Sequence, residues 1–480
     1  MELIIIPFVL ALLILLVPKQ LVKFVSLSGL ILSLIITAIH VMAYHNGSHE
    51  VTVFDPNMVT PFGLTFRLAY DGMSLLMILM TNIIMPLIVL SNFNRELASN
   101  KSFNSMLFLM QFALIGVFSS MDGLMFYIFW EITLIPVFLI ALWFGAPERK
   151  KILIKFFIYT FVGSLAMLGS LLALKTGAAS FSHADLMMAE MGAETACWIM
   201  GGFFLAFAIK APLFPLHTWQ PDTYTVSPMA GTMLLSALML KMALYGMVRW
   251  MIPLAPEAIE GMEPIVLTMA VIGIVYTAIL AIKQEDIKRI FAFASISHVG
   301  LIAAGIMIFT KDSLSASFLQ MFNHSLVALG LFLSAGILED RLKTRNLYEM
   351  GGIAKLAPKF GFWFAIIGFA SVSVPFSSGF IGEFLLLKEL YSYQWLVGLL
   401  AGTTLVFGAV YTLRAYQLSM FGVPKGEVFI DLTWNEWVVF LVLGILIVLL
   451  GLFPQFLFDL VNPSIEKLMK SVELSQIIVL

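Results

Sequence analysis

"GGFFLAFAIKAPLFPLHTWQPD", Gly201 to Asp222, puts a lysine in the middle of an apolar run and follows it closely with two prolines. In a soluble core those prolines would merely end an element. In a membrane, an ammonium group near the bilayer centre costs roughly 2.5–3.5 kcal/mol on insertion scales, and the helix that carries it must break. The fold turns on which solvent this run meets.

Composition decides it. The 480 residues are 60% hydrophobic and 12% charged, where a soluble domain has about 45–50% apolar and about 25% charged residues. Mean hydropathy is +0.99. Half the usual charge cannot cover a water-facing surface of this length, so the chain is a polytopic membrane protein and its solvent is the lipid bilayer. A net charge of −2 gives no reason to expect nucleic acid as a partner. The single cysteine, Cys197, excludes intrachain disulfides and Cys-ligated clusters, and it reads as a small buried apolar residue. No glycine-rich nucleotide-binding motif occurs. The opening stretch "MELIIIPFVLALLILLVPKQ" lacks a basic segment before its apolar run and a small-residue cleavage site after it, so it reads as a retained first span.

Apolar windows long enough to span fall near 2–18, 24–44, 71–92, 104–120, 123–144, 154–174, 196–220, 228–252, 264–282, 288–309, 314–338, 360–392, 396–420 and 436–459. The expectation is an all-α, polytopic fold of about fourteen helices in one integral domain, because an open sheet edge would leave backbone groups unpaired in lipid. The connecting charges alternate. Lys19 and Lys23, Arg95 and Lys101, "PERKK" (147–151), "KQEDIKR" (283–289) and "EDRLKTR" (339–345) follow the odd spans from one to eleven in turn, leaving the seventh without a basic loop. Glu50 and Asp55, then Asp185, Glu190 and Glu194, then Glu257, Glu260 and Glu263 mark the loops between. Basic loops stay cytoplasmic, which sends both termini to the opposite side.

Two spans are interrupted. The seventh contains Pro212 and Pro215; the twelfth, "FASVSVPFSSGFIGEF", contains Pro375 and Gly379. Proline removes a backbone donor and clashes with the preceding turn, so both helices should break at mid-depth. The breaks lie five spans apart, a pattern of transporters built from inverted repeats, here two five-helix repeats over 104–252 and 264–420. The correspondence is loose, since Lys210 precedes its break and Glu383 follows its own.

Six ionisable residues sit well inside predicted spans: Glu131 in "FYIFWEITLIPVF", Lys210, Lys241 in "LLSALMLKMALYG", His298 in "FAFASISHVGLIAAG", His324 in "FLQMFNHSLVALG" and Glu383 in "SGFIGEF". Each also has a structural reading. Lys210 and Glu131 could simply hold two helices together; Lys241 could snorkel; the histidines could be interhelical donors; Glu383 could cap a half-helix. Asp71, His217, Asp222 and Arg249 lie at span ends and read as anchors or pairs. Ser317, Gln320 and His324 share one helix face, and so do Asp71, Ser74 and Asn82, so polar stripes face the interior. Lysines, carboxylates and histidines threaded through a bilayer are the material of a proton relay, because burial draws their ionisation toward neutrality. The cargo reads as H⁺, with Na⁺ second.

"FAIKAPLFPLHTWQPDTYTVSPMAGTMLLSALMLKMALYGMVRW" (207–250), "IKQEDIKRIFAFASISHVG" (282–300) and "FLQMFNHSLVALGLFLSAG" (318–336) resemble the antiporter-like membrane subunits of respiratory complex I and of multisubunit cation/proton antiporters. The resemblance runs from about Asp71 to Gly451. Within that family, glutamate in "SGFIGEF" resembles the M-type branch, whereas L-type and N-type members carry lysine there. "AYDGMSLLMILMTNIIMPL" and the tail "WVVFLVLGILIVLLGLFP" are also M-like, and the long lateral helix of an L-type member is missing.

The resemblance implies a proton-translocating role coupled to NADH oxidation by quinone, with L-type and N-type subunits as neighbours in a bacterial inner membrane. Flavin (FMN), iron–sulfur clusters and quinone would lie in other subunits, leaving no redox centre, cofactor or metal in this chain. It further implies Glu131 and Lys210 as the cytoplasmic-side pair, Lys241 as the connection, His298 and His324 as the hydrated bridge and Glu383 as the exit group. The alternatives are a subunit of a sodium/proton antiporter and a scaffold whose buried charges only join helices. One departure matters. The family reads "PLHTWLPDAH", an acidic residue and "APTAG"; here Gln220, Tyr224 and Val226 stand for the leucine, the histidine and the acid. That puts a proton-intake role for this loop in doubt.

Overall fold

The computed structural model describes residues 1–47, 51–55, 59–425 and 428–479; Glu50 lies outside the described residues. Among them, twelve helices are long and apolar enough to cross a membrane. A short apolar helix, Glu2–Leu13, and the split pair Pro358–Ser371 and Ser378–Tyr393 supply two more. Fourteen spans therefore stand where the apolar windows put them. The first is shorter than expected, its helix giving way to turns after Leu13.

Burial sorts the spans. The eighth (Met229–Leu254), tenth (Ile287–Ile308) and eleventh (Lys311–Leu342) are enclosed on all sides, whereas the second, sixth and thirteenth leave most of one face open. Lipid replaces water as the outer solvent, so those open faces carry Ile31, Ile158, Val162 and Leu399 rather than charges. The three enclosed spans carry Lys241, His298 and His324.

Polar residues begin the helices where chain meets headgroup or water. Asp71 accepts from Ser74 N at 2.9 Å ahead of the third span, and Asp122 accepts from Leu124 N and Met125 N ahead of the fifth. Asp286 does the same ahead of the tenth, and Thr310 with Ser313 forms a capping box ahead of the eleventh. Each satisfies donors that a helix start leaves unpaired.

The breaks come where the prolines require them. Span seven is helical over Ala193–Lys210, irregular through Trp219, and helical again over Gln220–Val226. Trp219 Nε1 donates to Ile209 O at 2.8 Å and Leu213 N to Ala208 O at 2.8 Å, recovering carbonyls that the break frees. In span twelve the break covers Val372–Ser377; Ser373 and Phe376 take positive φ there, a strained conformation for residues with a Cβ. Asn323 Nδ2 donates to Ser378 O at 2.6 Å across it.

Three features depart from the sequence reading. The all-α expectation misses a short antiparallel pair, β1 (Val51–Phe54) and β2 (Leu68–Tyr70), with Val51 opposite Tyr70, in the connection between spans two and three. The last span ends at Leu452, not near 459, because Pro454 turns the chain into a further helix, Gln455–Val479. That helix packs against spans three and eleven. Cys197 is exposed on the outer face of the seventh span rather than buried, since helical spacing turns Ala196 and Met200 inward instead.

Candidate functional site

Lys241 is fully buried, so it does not snorkel. It lies just past a π-helical turn, Leu235–Met239, in which carbonyls lose their usual partners four residues on. Lys241 Nζ donates to one of them, Ser236 O, at 2.7 Å, and Ser325 Oγ donates to its neighbour, Ala237 O, at 2.6 Å. The distorted turn thus holds the lysine inward and is itself held by span eleven.

Nζ of Lys241 also lies 2.8 Å from Nδ1 of His324, whose Nε2 lies 3.1 Å from Ser295 Oγ. His324 thus bridges Lys241 and Ser295 through its two ring nitrogens. The rings of His324 and His298 are 6.0 Å apart, centroid to centroid. A cavity of about 20 Å³ adjoins both, room for about one water molecule. His298 Nδ1 then comes within 2.8 Å of Glu383 Oε1, and Gln320 Nε2 donates to the same oxygen at 3.0 Å. Four of the six predicted residues therefore form a file inside the bundle: Lys241, His324, His298, Glu383.

Glu383 belongs to the half-helix Ser378–Tyr393, in its second turn, so the positive end of that helix lies close behind it. Lys210 is the last residue of the half-helix Ala193–Lys210, at the negative end. Lys210 thus sits at the helix pole that favours its charge, while Glu383 lies beyond the first turn of its own half-helix. The capping role for Glu383 is not the one taken, because Ser377 occupies the N-cap and the carboxylate turns to His298 and Gln320.

Glu131 and Lys210 are not brought into contact. Among the described residues no ion pair within 4.0 Å joins them; Lys210 Nζ instead lies 5.3 Å from the ring centre of Trp130, beside Glu131 in sequence. That arrangement is a cation–π contact. The pair is an electrostatic neighbourhood, not a bridge, and it shares no hydrogen bond with Lys241.

Of the four residues read as anchors or pairs, three form polar pairs, while His217 only meets the rings of Phe214 and Tyr276 and its Nδ1 has no hydrogen-bond partner. Arg249 pairs with Asp71 through Nη2 and donates Nε to Tyr245 OH at 3.1 Å, while Asp222 takes Arg289 at 2.9 Å and Lys155 at 3.3 Å. Sequence reasoning missed Tyr411, whose hydroxyl lies 3.4 Å from His298 Nε2, and Ser295. A tyrosine or serine in an apolar span is common enough that only its register against His298 or His324 reveals it. Asn82 joins Thr37 at 2.6 Å and Gln111 at 2.7 Å, away from this file.

Known proteins resemble this chain in sequence and fold. The family described as "NADH:quinone oxidoreductase/Mrp antiporter, TM" matches residues 120–408. The chain is 32% identical over 467 residues to NADH-quinone oxidoreductase subunit M of Rhodobacter capsulatus, covering 94% of this chain and 90% of that one. It is 35% identical over 430 residues to subunit M of Escherichia coli K12, covering 86% and 84%. A chain of respiratory complex I from Thermus thermophilus superposes with a TM-score of 0.89 at 30% identity, covering 98% and 99%. A chain of the Mrp complex from Dietzia superposes with a TM-score of 0.90 at 18% identity, a likeness of fold alone. This chain, a multi-pass membrane protein, belongs to the NADH:quinone oxidoreductase/Mrp antiporter transmembrane family.

Proposed function

We propose that the chain is the M-type, proton-translocating membrane subunit of an NADH–quinone oxidoreductase. The observation that carries this is the file Lys241–His324–His298–Glu383, four titratable groups in close succession at the centre of a lipid-embedded bundle. Kept there without a transport task, they would be a large standing cost. The relatives in bacterial and plant respiratory enzymes, matched over nearly the whole chain, support the same reading.

In this reading a proton on Lys241 passes to His324, crosses the small cavity to His298 and leaves through Glu383. Glu131 and Lys210 set the charge state of the near end from a distance. Since they do not touch, moving a charge beside Glu131 changes the field at Lys210 without breaking a bond. The redox chemistry, with its FMN, iron–sulfur clusters and quinone, is assigned to other subunits of the assembly. L-type and N-type subunits flank this one in a bacterial inner membrane, with both termini on the non-cytoplasmic side. The interrupted seventh and twelfth spans support two inverted five-helix repeats, 104–252 and 264–420.

The test is purification from the native membrane in mild detergent. Co-purifying NADH–quinone reductase with flavin and iron–sulfur absorbance supports the reading. A colourless complex that exchanges Na⁺ for H⁺ moves the chain to the antiporter alternative. Lys210→Ala should suppress coupled turnover and proton release together; intact pumping in that variant overturns the relay.

A further inference from the structure

Where the C-terminal helix lies against the start of span three and the end of span eight, the chain leaves a cleft of about 480 Å³. Its titratable walls are Arg67, Arg249 and Lys467, the carboxylate of Asp71, the phenol of Tyr44 and the imidazole of His183. Three cations therefore face one carboxylate, and that carboxylate is already engaged: Asp71 pairs with Arg249 and accepts from Ser74 N at 2.9 Å. The other connections on this side of the membrane are acidic, carrying Asp185, Glu190, Glu194, Glu257 and Glu260. Cations gathered into one cleft on an acidic face are a local feature, not a general surface charge.

Donors in this cleft are left open. Arg249 uses Nη2 on Asp71 and Nε on Tyr245 OH at 3.1 Å, and its Nη1 makes no hydrogen bond among the described residues. Arg67 Nε is buried 3.4 Å from Asp55 Oδ2 without completing a hydrogen bond to it. Buried donors in folded proteins are almost always partnered. Open guanidinium N–H bonds take an acceptor, and the oxygens of a carboxylate or phosphate meet that fork two at a time. Water would fill a donor, but three cations around one cavity also attract negative charge. The remaining walls narrow the choice. Met121, Met187, Pro463 and Leu468 are apolar. Asp71 caps the start of span three and Arg249 lies near the end of span eight, so the cleft sits at headgroup depth. Its volume is that of a small-molecule site, and an inorganic phosphate would leave the apolar walls uncovered.

We propose that this cleft binds the headgroup of an anionic phospholipid, its phosphodiester oxygens on Arg67, Arg249 and Lys467 and its glycerol end against Met121, Met187 and Leu468. A zwitterionic headgroup fits less well, because its ammonium would meet three cations and a carboxylate that is already paired. The site lies apart from the file of Lys241, His324, His298 and Glu383 and does not depend on the relay reading. Lys467 and Leu468 belong to the final helix, whereas Arg67 precedes span three. A lipid held between them ties the last helix to the first half of the chain, beside the hydrogen bond from Gly72 N to Ser464 Oγ.

The experiment uses the whole membrane assembly purified with this chain and stripped of loosely held lipid by detergent exchange. Hydrogen exchange of the C-terminal helix, Gln455–Val479, is followed against added phosphatidylglycerol, phosphatidylethanolamine or inorganic phosphate. R67Q/K467Q is compared with the parent and with K388Q, which removes an exposed lysine on span twelve. The expected result is slower exchange with phosphatidylglycerol in the parent and K388Q, and about tenfold more of that lipid for the same effect in R67Q/K467Q. Phosphatidylethanolamine and inorganic phosphate should leave exchange unchanged. An equal phosphatidylglycerol requirement in R67Q/K467Q and the parent overturns the site. An equal effect of inorganic phosphate overturns the lipid assignment, and an equal effect of phosphatidylethanolamine overturns the preference for an anionic headgroup. If the double variant does not assemble, density in the parent assembly in phosphatidylglycerol nanodiscs decides. A phosphodiester between Arg67 and Lys467 supports the site; a neighbouring chain or water alone in the cleft overturns it.

Discussion

His298 Nδ1 lies 2.8 Å from Glu383 Oε1, and neither side chain is more than about one-tenth exposed. Two groups that exchange protons readily are thus held at contact distance where water is scarce, each with a second neighbour to orient it: Tyr411 for the imidazole and Gln320 for the carboxylate. Removing one partner of a buried charged contact leaves the other uncompensated, a loss of about 3–5 kcal/mol. Changing its charge while keeping its shape separates stability from proton transfer.

Glu383→Gln should therefore assemble, because Gln keeps an acceptor for Gln320, and should lower coupled proton release about a hundredfold. Glu383→Ala should in addition lower the thermal midpoint of the purified assembly. Proton release measured with a pH indicator, beside a melting curve, checks both. Undiminished release in Glu383→Gln would remove this residue from the route.

Lys241→Met removes the donor from Ser236 O and from His324 Nδ1 together. The freed carbonyl in the π-helical turn is left buried and unpaired, a cost of about 1–3 kcal/mol. Loss of proton translocation with a modest loss of thermal stability is the expected outcome in reconstituted vesicles.

Exchange of charge, Glu131→Lys with Lys210→Glu, distinguishes a relay from helix glue. Because the two side chains are not bonded, little contact energy depends on their order, and the double variant should assemble. It should nevertheless fail to pump, since position 210, at the negative end of the half-helix Ala193–Lys210, would then carry a carboxylate. Pumping at the parental rate would favour the scaffold reading.

His183, in the connection between spans six and seven, has Nε2 2.8 Å from Arg249 O and lines a cleft of about 480 Å³ beside the C-terminal helix. Burial, and then the Arg249 charge, push its pKa down from 6.5 to about 4. The unfolded chain consequently binds more protons than the native one between those values, so stability rises with pH across that window and is flat above it. The loss on acidification should reach at most about 3 kcal/mol, less because the ring is only partly enclosed. Melting temperatures of the parent and His183→Gln from pH 4 to 7 should converge as the acid limb disappears in the variant.

The sequence made the span count, both breaks and the six ionisable groups within spans readable, since twenty-residue apolar runs, prolines and isolated charges are local signals; five of the six are buried, and Glu131 is only half-buried. The partners were another matter. That Lys241 meets His324, and not Glu131, depends on how a π-helical turn rotates one helix against two others. Pairing of Glu131 with Lys210 looked natural from charge, yet span five brings the Trp130 ring, not the carboxylate, against the ammonium. Tyr411 and Ser295 carry no charge to mark them, so only their register reveals them. The helix after Leu452 stayed hidden because its mixed polar and apolar residues read as a tail.

That final helix also bears on how the protein is made. Gly72 N donates to Ser464 Oγ at 2.8 Å across 392 residues of chain. A Cβ added at Gly72 would come within 1.7 Å of Leu460 O, so the third span has been left bare at the point where the last helix lies on it. At about 5–20 residues per second, roughly 20–80 s separate the synthesis of the two ends. Throughout that interval the third span lacks the partner that Gly72 N meets in the folded bundle, so this latch closes only after Ser464 has been made.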